Sequence, residues 1–179
     1  MRKGHIFRLR SKDLGRSPGA PLSLRLYPDP ILRCACKAVE RFDSSLSDLA
    51  DEMLALMRAH EGIGLAAPQV GIERRLFVAE LQERRLCLVN PVITAYGARD
   101  RMTEECLSLP DVHMNISRPD HVVLTAYNRQ GHRHRYRADS LLARVIQHEI
   151  DHLNGILICD HRAPGPTEDS PDNSKVVQG

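Results

Sequence analysis

Between positions 148 and 152 the chain reads His148-Glu149-Ile150-Asp151-His152. On a helix, two histidines four residues apart stand one above the other, so both imidazoles can reach a single ion. The intervening Glu149 lies beside that face, where it can meet a water held by the ion. The chemistry to expect is metal-assisted hydrolysis. Leu141, Val145, His148 and His152 form one helical row, and Leu142, Ile146, Glu149 and Leu153 form the next. The two histidines and the Glu therefore sit in the apolar stripe that faces a core. Burying three polar groups there costs several kcal/mol unless they are paired or bind metal. A lone histidine in such a stripe reads as a hydrogen-bonded core residue; two with a Glu at this spacing read as a metal site.

The HExxH pattern alone does not name an enzyme. Zinc proteases that extend it to HExxHxxGxxH take a third ligand from the last position. Here Gly155 falls on the Gly position, but the last position is Ile158, and the one Glu downstream, Glu168, stands in a Pro-rich segment. The third ligand is therefore sought upstream. Cys106 is the best candidate, within Glu104-Glu105-Cys106-Leu107-Ser108-Leu109-Pro110, an extended or turn-like stretch that could face the helix.

The elements needed to position these groups are legible in outline. Leu46, Leu49, Met53, Leu56 and Met57 recur at helical spacing and predict a helix over 46–60, capped by Ser44 or Ser45 and ended by Gly62 and Gly64. Strand patterns cover 75–81, 85–89, 121–127 and 134–137, with a turn at Asn128-Arg129-Gln130-Gly131. A second helix is expected over 141–154, with Asp139 or Ser140 as its cap and Gly155 just past its end. Strands followed by a terminal helix suggest an α+β fold, a mostly antiparallel sheet packed around the HExxH helix.

At 179 residues the chain is long enough for one domain and short for two. Residues 1–20 hold six basic side chains against one acid and read as a disordered basic extension; residues 163–179 read as a flexible tail. The catalytic domain is expected over 21–162. Aromatics are 4% of the chain, which speaks against stacking platforms for single-stranded nucleic acid, and the nearly neutral body between the extensions does not read as a dedicated nucleic-acid reader; no specific nucleic acid is expected as a partner. No apolar run approaches the ~18 residues of a membrane span. Five cysteines without framework spacing favour free thiols in a reducing compartment. Cys34, Cys36, Cys87 and Cys159 read as structural thiols. His132 and His134, among Arg133, Arg135 and Arg137, read as a solvated basic face.

Three segments together resemble the peptide deformylases, whose signatures are GxGLAAPQ, EGCLS and HExDH. Here they are Gly62-Ile63-Gly64-Leu65-Ala66-Ala67-Pro68-Gln69, Glu104 to Ser108, and His148 to His152, in the family's order. The resemblance spans about 22–161. It implies removal of the N-formyl group from the methionine of new polypeptides. It implies Cys106, His148 and His152 as ligands to one divalent metal, Fe(II) in the first place, with Zn, Ni or Co also suited to a thiolate and two imidazoles. By the same likeness Glu149 is the general base, and the Gln69 side-chain amide and the Leu107 backbone N–H stabilise the oxyanion. Gly62, Ile63 and Gly64 let backbone approach the substrate. The implied partners are N-formylmethionyl nascent peptides near the ribosome exit, with no membrane. The implied setting is a bacterial cytoplasm, or an organelle.

One position departs from the pattern. Glu105 stands where the family has Gly before the metal-binding Cys, which puts a side chain and a charge beside the substrate. Two rival readings follow: a divergent deformylase-like protein with altered substrate or weak activity, and a conventional HExxH metallopeptidase.

Overall fold

The computed structural model describes residues 21–161, so the expectations for the basic extension and for the tail lie outside the described residues. In chain order come α1 (Ser44–Ala59), β1 (Gly64–Ala66), β2 (Leu76–Leu81), β3 (Arg84–Tyr96), β4 (Arg99–Cys106), β5 (Leu109–Pro119), β6 (His121–Tyr127), β7 (Arg133–Asp139) and α2 (Ser140–Leu153). Five strands form one antiparallel sheet in the order β1-β2-β3-β6-β7, and β4 pairs with β5 in a separate two-stranded sheet. The architecture is the expected α+β.

Strand β2 explains the layering. Leu76, Phe77, Val78 and Ala79 are all buried, as a strand covered on both faces must be. Side chains alternate along a strand. Leu76 and Val78 pack with Leu46, Leu49, Met53 and Met57 of α1. Phe77 and Ala79 pack with Leu142, Val145, Ile146 and Leu153 of α2. The helices therefore lie on opposite faces of the five-stranded sheet. A third cluster, Leu32, Leu109, Ile116, Leu157 and Ile158 around Cys106, ties the two-stranded sheet to the segment after α2.

Several boundaries differ from the sequence expectation. Helix α1 is capped by Asp43, whose carboxylate accepts the Ser45 N–H at 3.0 Å, and Ser44 is already helical. A carboxylate there also opposes the positive end of the helix dipole. Strand β3 does not stop at Val89 but runs through Asn90-Pro91 to Tyr96. The interruption is absorbed by a shift of register against β6. The Asn90 side chain substitutes for backbone by donating to the Val39 carbonyl and accepting its N–H, both at 2.8 Å. The pairing of β4 with β5 was not anticipated.

Candidate metal centre

Helix α2 presents His148 and His152 with ring centroids 4.9 Å apart. Cys106, the last residue of β4, is buried against them, its Sγ 3.2 Å from His152 Nε2. One ligand atom from each of Cys106, His148 and His152 lies within 4.8 Å of the others. His148 turns Nδ1 to Glu104 Oε2 at 3.0 Å, which leaves its Nε2 for the cluster. His152 Nδ1 and Glu149 Oε2 are buried with no hydrogen-bond partner. A thiol and two imidazoles converging beside unsatisfied buried polar atoms fit a divalent transition metal.

A cavity of about 470 Å³ opens over this cluster. Cys106, His148 and Glu149 line it, with Gln69 and Leu107 beside them. Gly62, Ile63, Gly64 and Glu105 form more of its wall. His152, 1% exposed, sits behind Cys106 rather than on the wall. The structure thus brings together every site residue expected from sequence. Gln69 is held at both ends of its amide: Oε1 accepts the Ala66 N–H at 2.8 Å, and Nε2 donates to Ser108 Oγ at 3.1 Å while lying 3.7 Å from Cys106 Sγ. At Gly64 the reason for glycine is close approach. A Cβ there would stand 2.2 Å from Glu149 Oε1.

Glu105 stands with His113 at the solvent-exposed part of the cavity wall. Glu104 and Cys106 are buried and Glu105 between them is exposed, at the point where β4 shifts register against β5. Its side chain is 72% exposed and meets His113 Nδ1 at 3.0 Å.

The residues that sequence reasoning missed stand behind His148. Arg118 donates to Glu104 through Nε at 2.6 Å and Nη2 at 3.0 Å, and to Asp151 through Nη1 at 2.7 Å. Arg144 donates to Glu104 at 2.8 Å and to Asp100 at 2.6 Å. Glu104 is therefore one buried carboxylate serving two guanidiniums and a histidine. Two signals could have found part of this set: Glu104 shares a strand face with Cys106, and Arg144 lies one helical turn before His148. Nothing in the sequence points to Arg118.

This network sets the electrostatics of the metal-free protein. Burial pushes the Glu104 carboxyl up, and the donors His148 and Arg118 outweigh it, holding the group at about 2. Burial lowers His148, but its contacts with Cys106 and Glu104 more than compensate and raise it to about 10. Burial, reinforced by the charge of His148, drives His152 well below its ordinary value. Burial raises Glu149 to about 7, against the opposing charges of His148 and Arg118. One imidazolium is thus kept among the ligands, and a divalent ion binding there must displace its proton.

Comparison with known proteins agrees with this geometry. The sequence model of the family described as polypeptide deformylase matches residues 21–167. A peptide deformylase of Caldicellulosiruptor bescii is 46% identical over 137 residues, 76% of this chain and 82% of that protein. One of Dictyoglomus turgidum is 42% identical over 139 residues, 78% and 91% of the two chains. Among solved structures, peptide deformylase from Thermotoga maritima superposes with a TM-score of 0.79 at 36% identity, covering 81% of this chain and 99% of that one. The Synechococcus elongatus enzyme in complex with actinonin does so with 0.78 at 41% identity, covering 84% of each. With the family model covering most of the residues and relatives matched over most of their own length, this chain belongs to the polypeptide deformylase family.

Proposed function

We propose that this deformylase works through Cys106, His148 and His152 as ligands to one divalent ion, Fe(II) in the native state, with Glu149 as general base. The reaction is hydrolysis of the formyl amide on the N-terminal methionine of newly made polypeptides, giving formate and a free amine. The observation that carries the residue roles is the buried, unpartnered Glu149 oxygen beside the Cys-His-His cluster. When bound, a divalent ion supplies Lewis acidity, polarising the formyl carbonyl and lowering the pKa of a water to about 7.

Glu149 takes the proton of the attacking water as the water adds to the formyl carbon, then passes it to the departing amine nitrogen. Gln69 Nε2 and the Leu107 N–H donate to the oxygen that gains charge. Removing one donor of this kind costs about 3–4 kcal/mol of barrier. The Gln69 amide is oriented in advance by Ala66 and Ser108, so little reorganisation accompanies the step. Glu104 fixes His148 with Nε2 toward the ion. Gly62, Ile63 and Gly64 bring the β1 edge to the substrate. Ile63, Met102 and Leu141 are exposed apolar side chains on the cavity wall, suited to a methionine side chain.

The conventional metallopeptidase reading loses its support. Ile158 takes the place of a third histidine and is 2% exposed in the third core cluster, and the relatives are deformylases. The substrate implies work near the ribosome exit, in a bacterial cytoplasm or an organelle that initiates with formylmethionine. No helix among the described residues is long and apolar enough to cross a membrane.

The test is deformylation of formyl-Met-Ala-Ser by protein purified anaerobically with Fe(II), beside Glu149→Ala. Turnover that disappears in the variant while one metal per chain remains is the expected result. Equal turnover in the variant would remove Glu149 from its role.

A further inference from the structure

The cavity over the metal centre has a charged rim. Glu61 stands between α1 and β1, while Glu105 and Asp111 stand where β4 gives way to β5, and all three line the cavity. Carboxylates therefore flank the opening from both of the substructures that build it. All three residues are exposed. Neither Glu61 nor Asp111 has an ion-pair partner among the described residues. Glu105 accepts from His113 Nδ1 at 3.0 Å, which orients the carboxylate and leaves it in solvent. The wall holds one guanidinium, that of Arg144, which is buried and taken up by Glu104 and Asp100. No lysine among the described residues lines the cavity. Apart from the imidazole of His113, the exposed charge on the wall is of one sign.

Exposed acids are common on any protein surface, but two features set these apart. Glu61 and Asp111 hold left-handed backbone, with φ of 56° and 62°, a conformation that glycine adopts at lower cost. The opening they flank also leads to a place made for a ligand. Glu149, 3% exposed, lines the same cavity and holds an oxygen there that no protein group satisfies.

Which ligand passes the rim follows from the deformylase reading, on which this inference rests. The formyl end must lie at the Cys-His-His cluster, with the methionine side chain against the apolar wall. The residues after the methionine then leave through the opening. Two of them extend about 7 Å, less than the ~8 Å over which charge acts at physiological salt. A formylated terminus carries no charge, so side chains at these two places supply the whole charge of the substrate's leading end.

We propose that Glu61, Glu105 and Asp111 form an acidic rim that selects formyl-methionyl chains carrying Lys or Arg in the two residues after the methionine. The rim acts by charge through solvent and takes no part in the chemical step.

The test compares kcat/KM of the metal-loaded full chain on three peptide amides: formyl-Met-Lys-Lys, formyl-Met-Ser-Ser and formyl-Met-Glu-Glu. The Glu61→Gln/Glu105→Gln/Asp111→Asn triple variant stands beside wild type. Solvent-exposed charge pairs are worth about twofold each. Wild type should therefore favour Lys-Lys over Ser-Ser about eightfold and disfavour Glu-Glu by a similar factor. The triple variant should bring both ratios to within about twofold of one, chiefly through KM, and about 0.5 M NaCl should do the same to wild type. Residues 1–20 are the same in every protein, so the change in ratio reads the rim. Equal ratios in wild type and triple variant, or no preference in wild type, would overturn the rim alone. No turnover of any of the three peptides would overturn the deformylase reading, and the rim with it. Should the triple variant melt early, Asp111→Asn alone decides. Its Lys-Lys to Ser-Ser ratio should fall about twofold, and an unchanged ratio would overturn the proposal.

Discussion

Replacing Glu104 by Gln removes one negative charge from a place where two arginines and a histidine converge. The carboxylate accepts from Arg118 twice, from Arg144 and from His148, and its side chain is 5% exposed. In the metal-free protein the group sits at about 2 against an ordinary 4.5. At about 1.4 kcal/mol per pH unit, that gap is worth about 3 kcal/mol, inside the range for breaking a buried ion pair by removing one partner. The sign is fixed by the downward displacement. The contribution is complete above pH 4.5 and is lost as pH falls toward 2. Urea denaturation of the metal-free proteins at pH 7 should therefore show Glu104→Gln about 3 kcal/mol less stable. In a domain of this size that is a fall of about 6–12 °C in melting temperature. At pH 3 the difference should shrink. A second readout separates packing from function: His148 loses the partner of its Nδ1, so metal affinity should fall 10–100-fold, measured by competition with a chelator. A loss under 1 kcal/mol with metal affinity unchanged would refute the account of Glu104 as the support of His148.

Further outcomes follow from the same geometry. Gly64→Ala places a methyl 2.2 Å from Glu149 Oε1; it should cost about 1–3 kcal/mol of stability and about a hundredfold in turnover by displacing the base, with metal content normal. Normal turnover would mean β1 yields instead. Glu105→Gly should change kcat/KM on formyl-Met peptides less than threefold, because the carboxylate is largely in solvent on the outer cavity wall, paired with His113; a large gain would show that it reaches the substrate. Cys106→Ser should lose metal during dialysis that wild type survives, checked by elemental analysis, and retention would remove the thiolate from the ligand set. Chelation should abolish turnover, with recovery on adding Fe(II), Ni or Co; turnover in the metal-free protein would contradict the mechanism.

How far the sequence could be read depended on whether burial and polarity went together. Helices α1 and α2 and strand β6 bury apolar residues at regular intervals and β2 in one continuous run, and all four were legible to within a few residues. Strand β4 was not. Its buried positions are Glu104 and Cys106, and the rest of Arg99–Cys106 is exposed, so no apolar alternation marks it as a strand. Its partner β5 carries Pro110 and Asp111 near its start, residue types depleted in strands. The metal ligands were visible because histidines at helical spacing in an apolar stripe need an explanation. Arg118 was invisible because its reason for being buried is a carboxylate 14 residues away in sequence, on a strand that itself went unrecognised. Glu105 shows the converse: its effect depended on which way one side chain points, and it sits at a register shift that no sequence pattern marks.

The two histidines and the cysteine belong to different substructures. The histidines ride on α2, anchored to the five-stranded sheet, while Cys106 ends a strand of the separate β4–β5 ribbon. An ion held by all three is therefore a clasp between two parts of the chain that share no sheet hydrogen bonds. Its binding energy should be spread as hydrogen-exchange protection over 99–119, well away from the helix that supplies most of the ligands. The Arg118–Glu104–Arg144 pairing is a second fastening across the same seam, and it persists when the ion leaves. A form without metal should keep the ribbon docked but breathing, which would let the ion be exchanged without unfolding the sheet that carries the rest of the site.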